Sequence, residues 1–199
     1  NVKNIEDTLM ITLRYGNTNT FFLEGGLLID TDYAGTIQSF YRTIKVNNIH
    51  VSDIKYVLAT HYHPDHMGLI SELMKQNVKL LLVNTQQEYV HYSDKIFMRE
   101  KHLRYETIDE TKAVIISCDE SREFLQNLKI SGEIISTPSH SPDSISIILD
   151  NGCCIVGDLE PLEYLEAYED NVALKTDWDR ILGYEPKKII YAHANEKIL

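Results

Sequence analysis

A chain of 199 residues and 22.9 kDa is expected from size scaling to fold to about 9,600 Å² of surface against about 33,000 Å² unfolded, which suits one core, and a separate cofactor or substrate domain is not expected. With 43% hydrophobic and 25% charged residues the composition is that of an ordinary globular protein, not a disordered or collagen-like one. The net charge of −11 repels phosphate backbones, so nucleic acid is not an expected partner.

In chain order, alternating residues from Thr8 to Tyr15 and from Thr18 to Leu23, then Leu27 to Asp30 after Gly25-Gly26, predict a β-meander. Ile37, Phe40, Tyr41 and Ile44 recur at helical spacing within Gly35 to Asn47, and Ile54 to Thr60 reads as a buried strand. From Asp65 to Gln76 the positions of Met67, Ile70 and Met74 predict an amphipathic helix, followed by a strand at Lys79 to Val83. Residues 85–112 are rich in Tyr, His and basic side chains with few aliphatics, and are expected to form an insertion or lid on a single domain spanning 1–199. The second half repeats the pattern. Strands are expected at Val114 to Ser117, Gly132 to Ser136, Ile145 to Leu149, Cys153 to Val156 and Lys188 to Tyr191. Helices are expected at Glu120 to Leu128, around Leu162 to Tyr168 and around Leu174 to Leu182. Two β-rich halves with intervening helices predict two sheets between helical layers.

No apolar run approaches the roughly 20 residues of a membrane helix, and the polar start from Asn1 to Asp7 does not read as a signal peptide. The three cysteines, two of them adjacent at Cys153 and Cys154, are too few for a disulfide framework and read as small core residues. A cytoplasmic setting is expected.

The densest chemistry lies in Thr60-His61-Tyr62-His63-Pro64-Asp65-His66, where three histidines and a carboxylate share a strand end and a helix start. On an extended segment His61 and His63 project to one side, while the turn at Pro64 can swing Asp65 and His66 toward a second point. One segment could thus serve two metals. His140, Asp158 and His193 each follow an apolar strand, at the positions where α/β architectures gather their sites.

His61-x-His63-x-Asp65-His66 resembles the hallmark of the metallo-β-lactamase-fold hydrolases. The segments Leu28-Ile29-Asp30-Thr31, Ser139-His140-Ser141-Pro142-Asp143-Ser144, Val156-Gly157-Asp158 and the late His193 fall in that family's order. The resemblance implies a four-layer αββα sandwich, two mixed sheets flanked by helices. It also implies that His61, His63 and His140 hold one metal, that Asp65, His66 and His193 hold another, and that Asp158 bridges them. Such a donor set suits two divalent ions, zinc first, with iron or manganese also accommodated. A shared water whose pKa falls toward about 7 would then supply hydroxide as the nucleophile, with Asp65 orienting it and passing its proton to the leaving group.

True β-lactamases of this fold carry Cys or Ser where this chain has Asp158, so the resemblance is to the glyoxalase II and lactonase-like branch. The glutathione-binding helical region of glyoxalase II is not expected, since six residues follow His193. Acyl-homoserine lactonases carry a Tyr three residues after the bridging Asp, where this chain has Pro161, and Tyr164 is the nearest substitute. The expected reaction is hydrolysis of a small-molecule ester, thioester or lactone. A phosphodiesterase, an iron-dependent oxidoreductase of the same fold and an inert metal-binding protein are the alternatives. Tyr62, Arg99 and Tyr164 are the expected substrate contacts, and Arg99, Lys101 and Arg104 suggest an anionic substrate. His50, His91 and His102 have no ligand spacing, and Trp178 is expected to pack.

Overall fold

The computed structural model describes residues 8–167 and 170–199. Strands β1 (Met10–Arg14), β2 (Asn19–Leu23) and β3 (Leu27–Ile29) form the predicted meander, and helix α1 (Ile37–Val46) leads to β4 (Tyr56–Leu58). Short helices α2 (Pro64–Met67) and α3 (Ile70–Lys75) precede β5 (Lys79–Val83). Helix α4 (Asp94–Arg99) lies within residues 85–112, flanked by 3-10 turns. Then follow β6 (Val114–Ile116), α5 (Cys118–Asn127), β7 (Gly132–Ser136), β8 (Ile145–Leu149), β9 (Cys153–Ile155), α6 (Val172–Leu182), β10 (Lys188–Ile190) and β11 (Lys197–Ile198).

The first six strands make one sheet in the order β1-β2-β3-β4-β5-β6, and the other five make a second in the order β11-β10-β9-β8-β7. Both sheets are mixed. β1, β2 and β3 pair antiparallel while β3 to β6 run parallel, and β9 and β10 are parallel inside an otherwise antiparallel second sheet.

Strand alternation divides the apolar side chains among three layers. In β5, Leu80 and Leu82 face the helical layer with Phe40, Ile44, Ile70 and Leu73, whereas Leu81 and Val83 face the other sheet. In the second sheet Ile134, Ile147, Ile155 and Ile190 meet them across the sandwich. Ile135, Ile148, Cys154 and Ile189 turn outward onto Leu174, Trp178 and Ile181 of α6. Both sheets are therefore covered on both faces, giving the predicted αββα order. Each fully buried Leu or Ile contributes on the order of 1.5–3 kcal/mol.

Three elements differ from expectation. The helix expected from Asp65 to Gln76 is broken at Gly68-Leu69, because Gly68 N–H donates to Asp32 O and Leu69 N–H to the Thr31 hydroxyl instead of to the preceding turn. The helix expected around Leu162 to Tyr168 is a 3-10 turn over Leu162–Leu165, and Tyr168 lies outside the described residues. The edge strand β11 has two residues, too short for periodicity to reveal.

Residues 85–112 are anchored. Val90, Phe97 and Ile108 are buried in the helical-layer core. The fully buried Gln86 amide donates to Ala59 O at 2.8 Å and to Asp143 O at 3.2 Å. Among the described residues no helix is long and apolar enough to cross a membrane.

Candidate metal centre

The site lies where strand ends and connections meet. His61 follows β4, His63 precedes α2, and Asp65 and His66 occupy that helix's first turns with Pro64 at its start. His140 lies in the β7–β8 connection, Asp158 follows β9 and His193 follows β10.

Close backbone approach brings these ends together. Gly157 has a φ of 60°, and a Cβ there would stand 2.6 Å from Thr60 Oγ1, so only glycine lets the β9 end lie against the β4 end. Ala192 N–H donates to Gly157 O at 3.1 Å, and Asn19 N–H to Ala192 O at 2.7 Å, which fixes the β10 end beside both.

His61, His63 and His140 converge, with ring centroids 4.4, 4.7 and 5.0 Å apart and His140 Nε2 at 3.3 Å from His63 Nδ1. Asp65, His66, Asp158 and His193 form a second cluster. Within each cluster one ligand atom per residue lies within 4.8 Å of the others. Asp65 Oδ2 is 3.1 Å from His193 Nε2, and His193 Nε2 is 3.3 Å from His66 Nε2.

Asp158 faces both clusters. Its Oδ2 is 3.7 Å from His61 Nε2 and 3.8 Å from His140 Nε2 on one side, and 3.2 Å from His66 Nε2 on the other. His61 Nε2 and Asp158 Oδ1 are buried without a hydrogen-bond partner, an arrangement that costs free energy unless something else occupies those lone pairs. Converging imidazole nitrogens, two carboxylates and orphaned buried donor atoms fit divalent cations of the N,O-binding class.

The outward faces of the histidines are held. His66 Nδ1 is 2.9 Å from Asp30 Oδ2, and His193 Nδ1 is 3.0 Å from Asn17 O. His61 Nδ1 is 3.2 Å from Thr60 Oγ1, which itself donates to Asp30 Oδ2 at 2.9 Å. Each contact accepts the outward N–H and turns the ring's Nε2 into the site.

Burial, and then neighbouring His66, push His61 well below the usual histidine range, and burial also lowers His140. Both stay neutral, the form that ligates. Burial alone would lower His66 too, but the Asp30 and Asp158 carboxylates outweigh it and raise His66 to about 10. His193 is raised by its hydrogen bond to Asp65. In return Asp65 falls to about 2 despite partial burial, held down by His193 and His66.

The expected substrate-binding residues are not members of these two clusters. Tyr62 is fully buried in the core, its N–H donating to Asp143 Oδ2 at 2.7 Å, so the ring has no surface to offer a substrate. This corrects its assignment: its neighbours His61 and His63 point into the site, and alternation sends Tyr62 the other way. Arg99 is exposed at the end of α4, and Tyr164 is exposed on the 3-10 turn after β9.

The sequence gives no individual role to Asp30, Thr60 or Asp143, and marks Tyr92 only as one of the tyrosines of the expected lid, which could offer stacking groups to a substrate. Asp30 follows an apolar strand just as Asp158 does, and that signal would have found it. Tyr92, in the anchored segment, lies with its ring centroid 5.4 Å from His63.

The profile of the metallo-beta-lactamase superfamily matches residues 13–193, and the chain belongs to that superfamily. Among relatives, the Beta-lactamase-like protein 2 homolog of Drosophila melanogaster is 24% identical over 192 residues. The aligned region spans 89% of this chain and 59% of that protein, so the chain covers little more than half the relative's length. Among solved structures, TTHA1623 in a di-iron-bound form superposes with a TM-score of 0.70 at 18% identity, covering 96% of this chain and 94% of that one. The rubredoxin oxygen:oxidoreductase of Desulfovibrio gigas superposes with a TM-score of 0.63 at 18% identity, covering 90% of this chain and 49% of that one. At these identities the superpositions establish the fold.

Proposed function

We propose that the protein is a metal-dependent hydrolase of a small-molecule ester, thioester or lactone, with a centre for two divalent cations. The observation that carries this reading is Asp158, whose carboxylate reaches histidines of both clusters, as a shared ligand must.

In this reading His61, His63 and His140 hold one cation, Asp65, His66 and His193 the other, and Asp158 both. When bound, such a pair supplies Lewis acidity and a water ionised near neutral pH. The chain's own residues do the rest. Asp30 and Thr60 orient His66 and His61 so that their Nε2 atoms point into the site. Asp65, whose side chain is 38% exposed and tied to His193, stays ionised, and in this reading it would orient the nucleophile and relay its proton to the leaving group. In the same reading Arg99 and Tyr164 would contact outer parts of the substrate, and Tyr92 of the 85–112 segment lies beside His63.

Zinc is the favoured metal because imidazole and carboxylate donors with open positions suit it. An iron-dependent oxidoreductase is the second reading, favoured by the di-iron form of TTHA1623 and the oxidoreductase from Desulfovibrio gigas, which share the fold. Phosphodiester hydrolysis would use the same residues. The charge of −11 favours a small substrate over a nucleic acid, and the three free cysteines suit a cytoplasmic setting.

Metal analysis of the purified protein, joined to turnover of p-nitrophenyl esters and of bis-p-nitrophenyl phosphate, separates these readings. About two zinc ions per chain with ester turnover supports the proposal. Iron with oxygen uptake and no ester turnover overturns it.

A further inference from the structure

Tyr92 is 58% exposed, an unusual position for a large aromatic side chain that touches a histidine of the site. Its ring lies 5.4 Å from that of His63 at an interplanar angle of 36°. The backbone carrying it is fixed. Tyr92 N–H donates to Tyr89 O at 2.8 Å, and the next residue, Ser93, is fully buried and donates its hydroxyl to Tyr62 O at 2.7 Å. Val90 and Phe97 on either side are sunk in the core, and Phe97 packs edge-on against Tyr33 at 4.9 Å. Tyr33 in turn hydrogen-bonds Glu100 at the end of α4. The backbone that carries the ring is therefore fixed beside His63, while the side chain stays largely exposed.

A substrate positioned at His63 would meet a flat, pre-placed aromatic face before it met water. Such a face favours planar aromatic groups over saturated ones of equal size, because ring pairs interact beyond the area they bury.

We propose that Tyr92 is a specificity-determining residue that stacks on an aromatic group of the substrate beside His63, so that the preferred substrates are aryl or arylmethyl carboxylic esters. The proposal rests on the hydrolase reading for the word ester, and on Tyr92 alone for the aromatic preference.

The test uses zinc-loaded full-length protein and compares benzylphosphonate with cyclohexylmethylphosphonate by calorimetry, in wild type, Tyr92→Phe and Tyr92→Ala. Wild type and Tyr92→Phe bind the benzyl compound about threefold to tenfold more tightly, and Tyr92→Ala brings the ratio near one. Zinc content stays the same in all three. A role confined to propping His63 would weaken both phosphonates equally and lower zinc retention, leaving the ratio unchanged. An unchanged ratio in Tyr92→Ala, or no binding of either compound to wild type, overturns the proposal. The companion measurement is KM for benzyl acetate against cyclohexylmethyl acetate, with a rise for the benzyl ester alone expected in Tyr92→Ala and kcat within about twofold. Lack of ester turnover with an intact binding ratio would remove the hydrolase reading and leave the aromatic subsite standing.

Discussion

Asp30 holds His66 from behind, Oδ2 to Nδ1 at 2.9 Å, and both side chains are completely buried. The same carboxylate accepts the Thr60 N–H at 2.6 Å and the Thr60 hydroxyl at 2.9 Å, and Thr60 in turn contacts His61. One residue thus sets the orientation of a histidine in each cluster. It does so from a left-handed conformation, φ 60°, which is costly for a side-chain-bearing residue and persists only where surrounding bonds enforce it.

Replacing Asp30 by Asn removes a charge and leaves the amide unable to accept all three donors. Zinc affinity is expected to fall about 10–100-fold, the usual effect of losing a carboxylate behind a ligating histidine. Titration against a chromophoric chelator measures it. Retained affinity in a folded Asp30→Asn protein would show that His66 needs no such support.

At Gly157 the added methyl group of alanine meets Thr60 and adopts an unfavourable φ. Gly157→Ala is expected to cost about 1–3 kcal/mol and to lower the melting temperature by roughly 3–10 °C, with weakened metal binding, since Asp158 is the next residue. Gly183→Ala is the control. Gly183 is in right-handed helical conformation, its nearest neighbour would be 3.3 Å away, and little change is expected there.

Asp143 ties the His140 loop to the His61-to-His66 segment, accepting from Tyr62 N–H at 2.7 Å and from the Ser141 hydroxyl at 2.8 Å. Asp143→Ala leaves a buried N–H unsatisfied, at a cost of about 1–3 kcal/mol. Urea unfolding should show a lower midpoint with an unchanged slope.

The pH dependence follows from His66 and His193. Both have folded pKa values raised above the unfolded value of about 6.5. Their stabilising contribution is complete below about pH 6.5 and is lost as pH rises toward the folded values. Chelator-treated protein should therefore lose stability between about pH 7 and 9. Zinc binding must displace the same protons and so strengthens over that range. The melting-temperature gap between zinc-loaded and chelator-treated protein is expected to widen with pH, and a constant gap would contradict this account.

Much of this architecture was legible in the residues. The strands Lys79–Val83, Gly132–Ser136 and Ile145–Leu149 were read to the residue because apolar runs end sharply at polar or glycine positions. The seven clustered side chains were legible because six positions carry four of them and the others follow strands. Less visible were the breaks and supports. The helix after His66 is interrupted because the Gly68 and Leu69 N–H groups donate to Asp32 O and the Thr31 hydroxyl, long-range partners that a local pattern does not contain. Tyr62 and Tyr92 are alike in composition, yet Tyr62 points into the core and Tyr92 stands beside His63, a distinction made by tertiary packing.

The central claim is that the two clusters around Asp158 hold a cation each. Crystals of zinc-loaded protein measured at the zinc absorption edge test it directly. Two anomalous peaks are predicted, one among His61, His63 and His140, the other among Asp65, His66 and His193, with Asp158 in contact with both. A single peak, or two peaks that Asp158 does not touch, would contradict it.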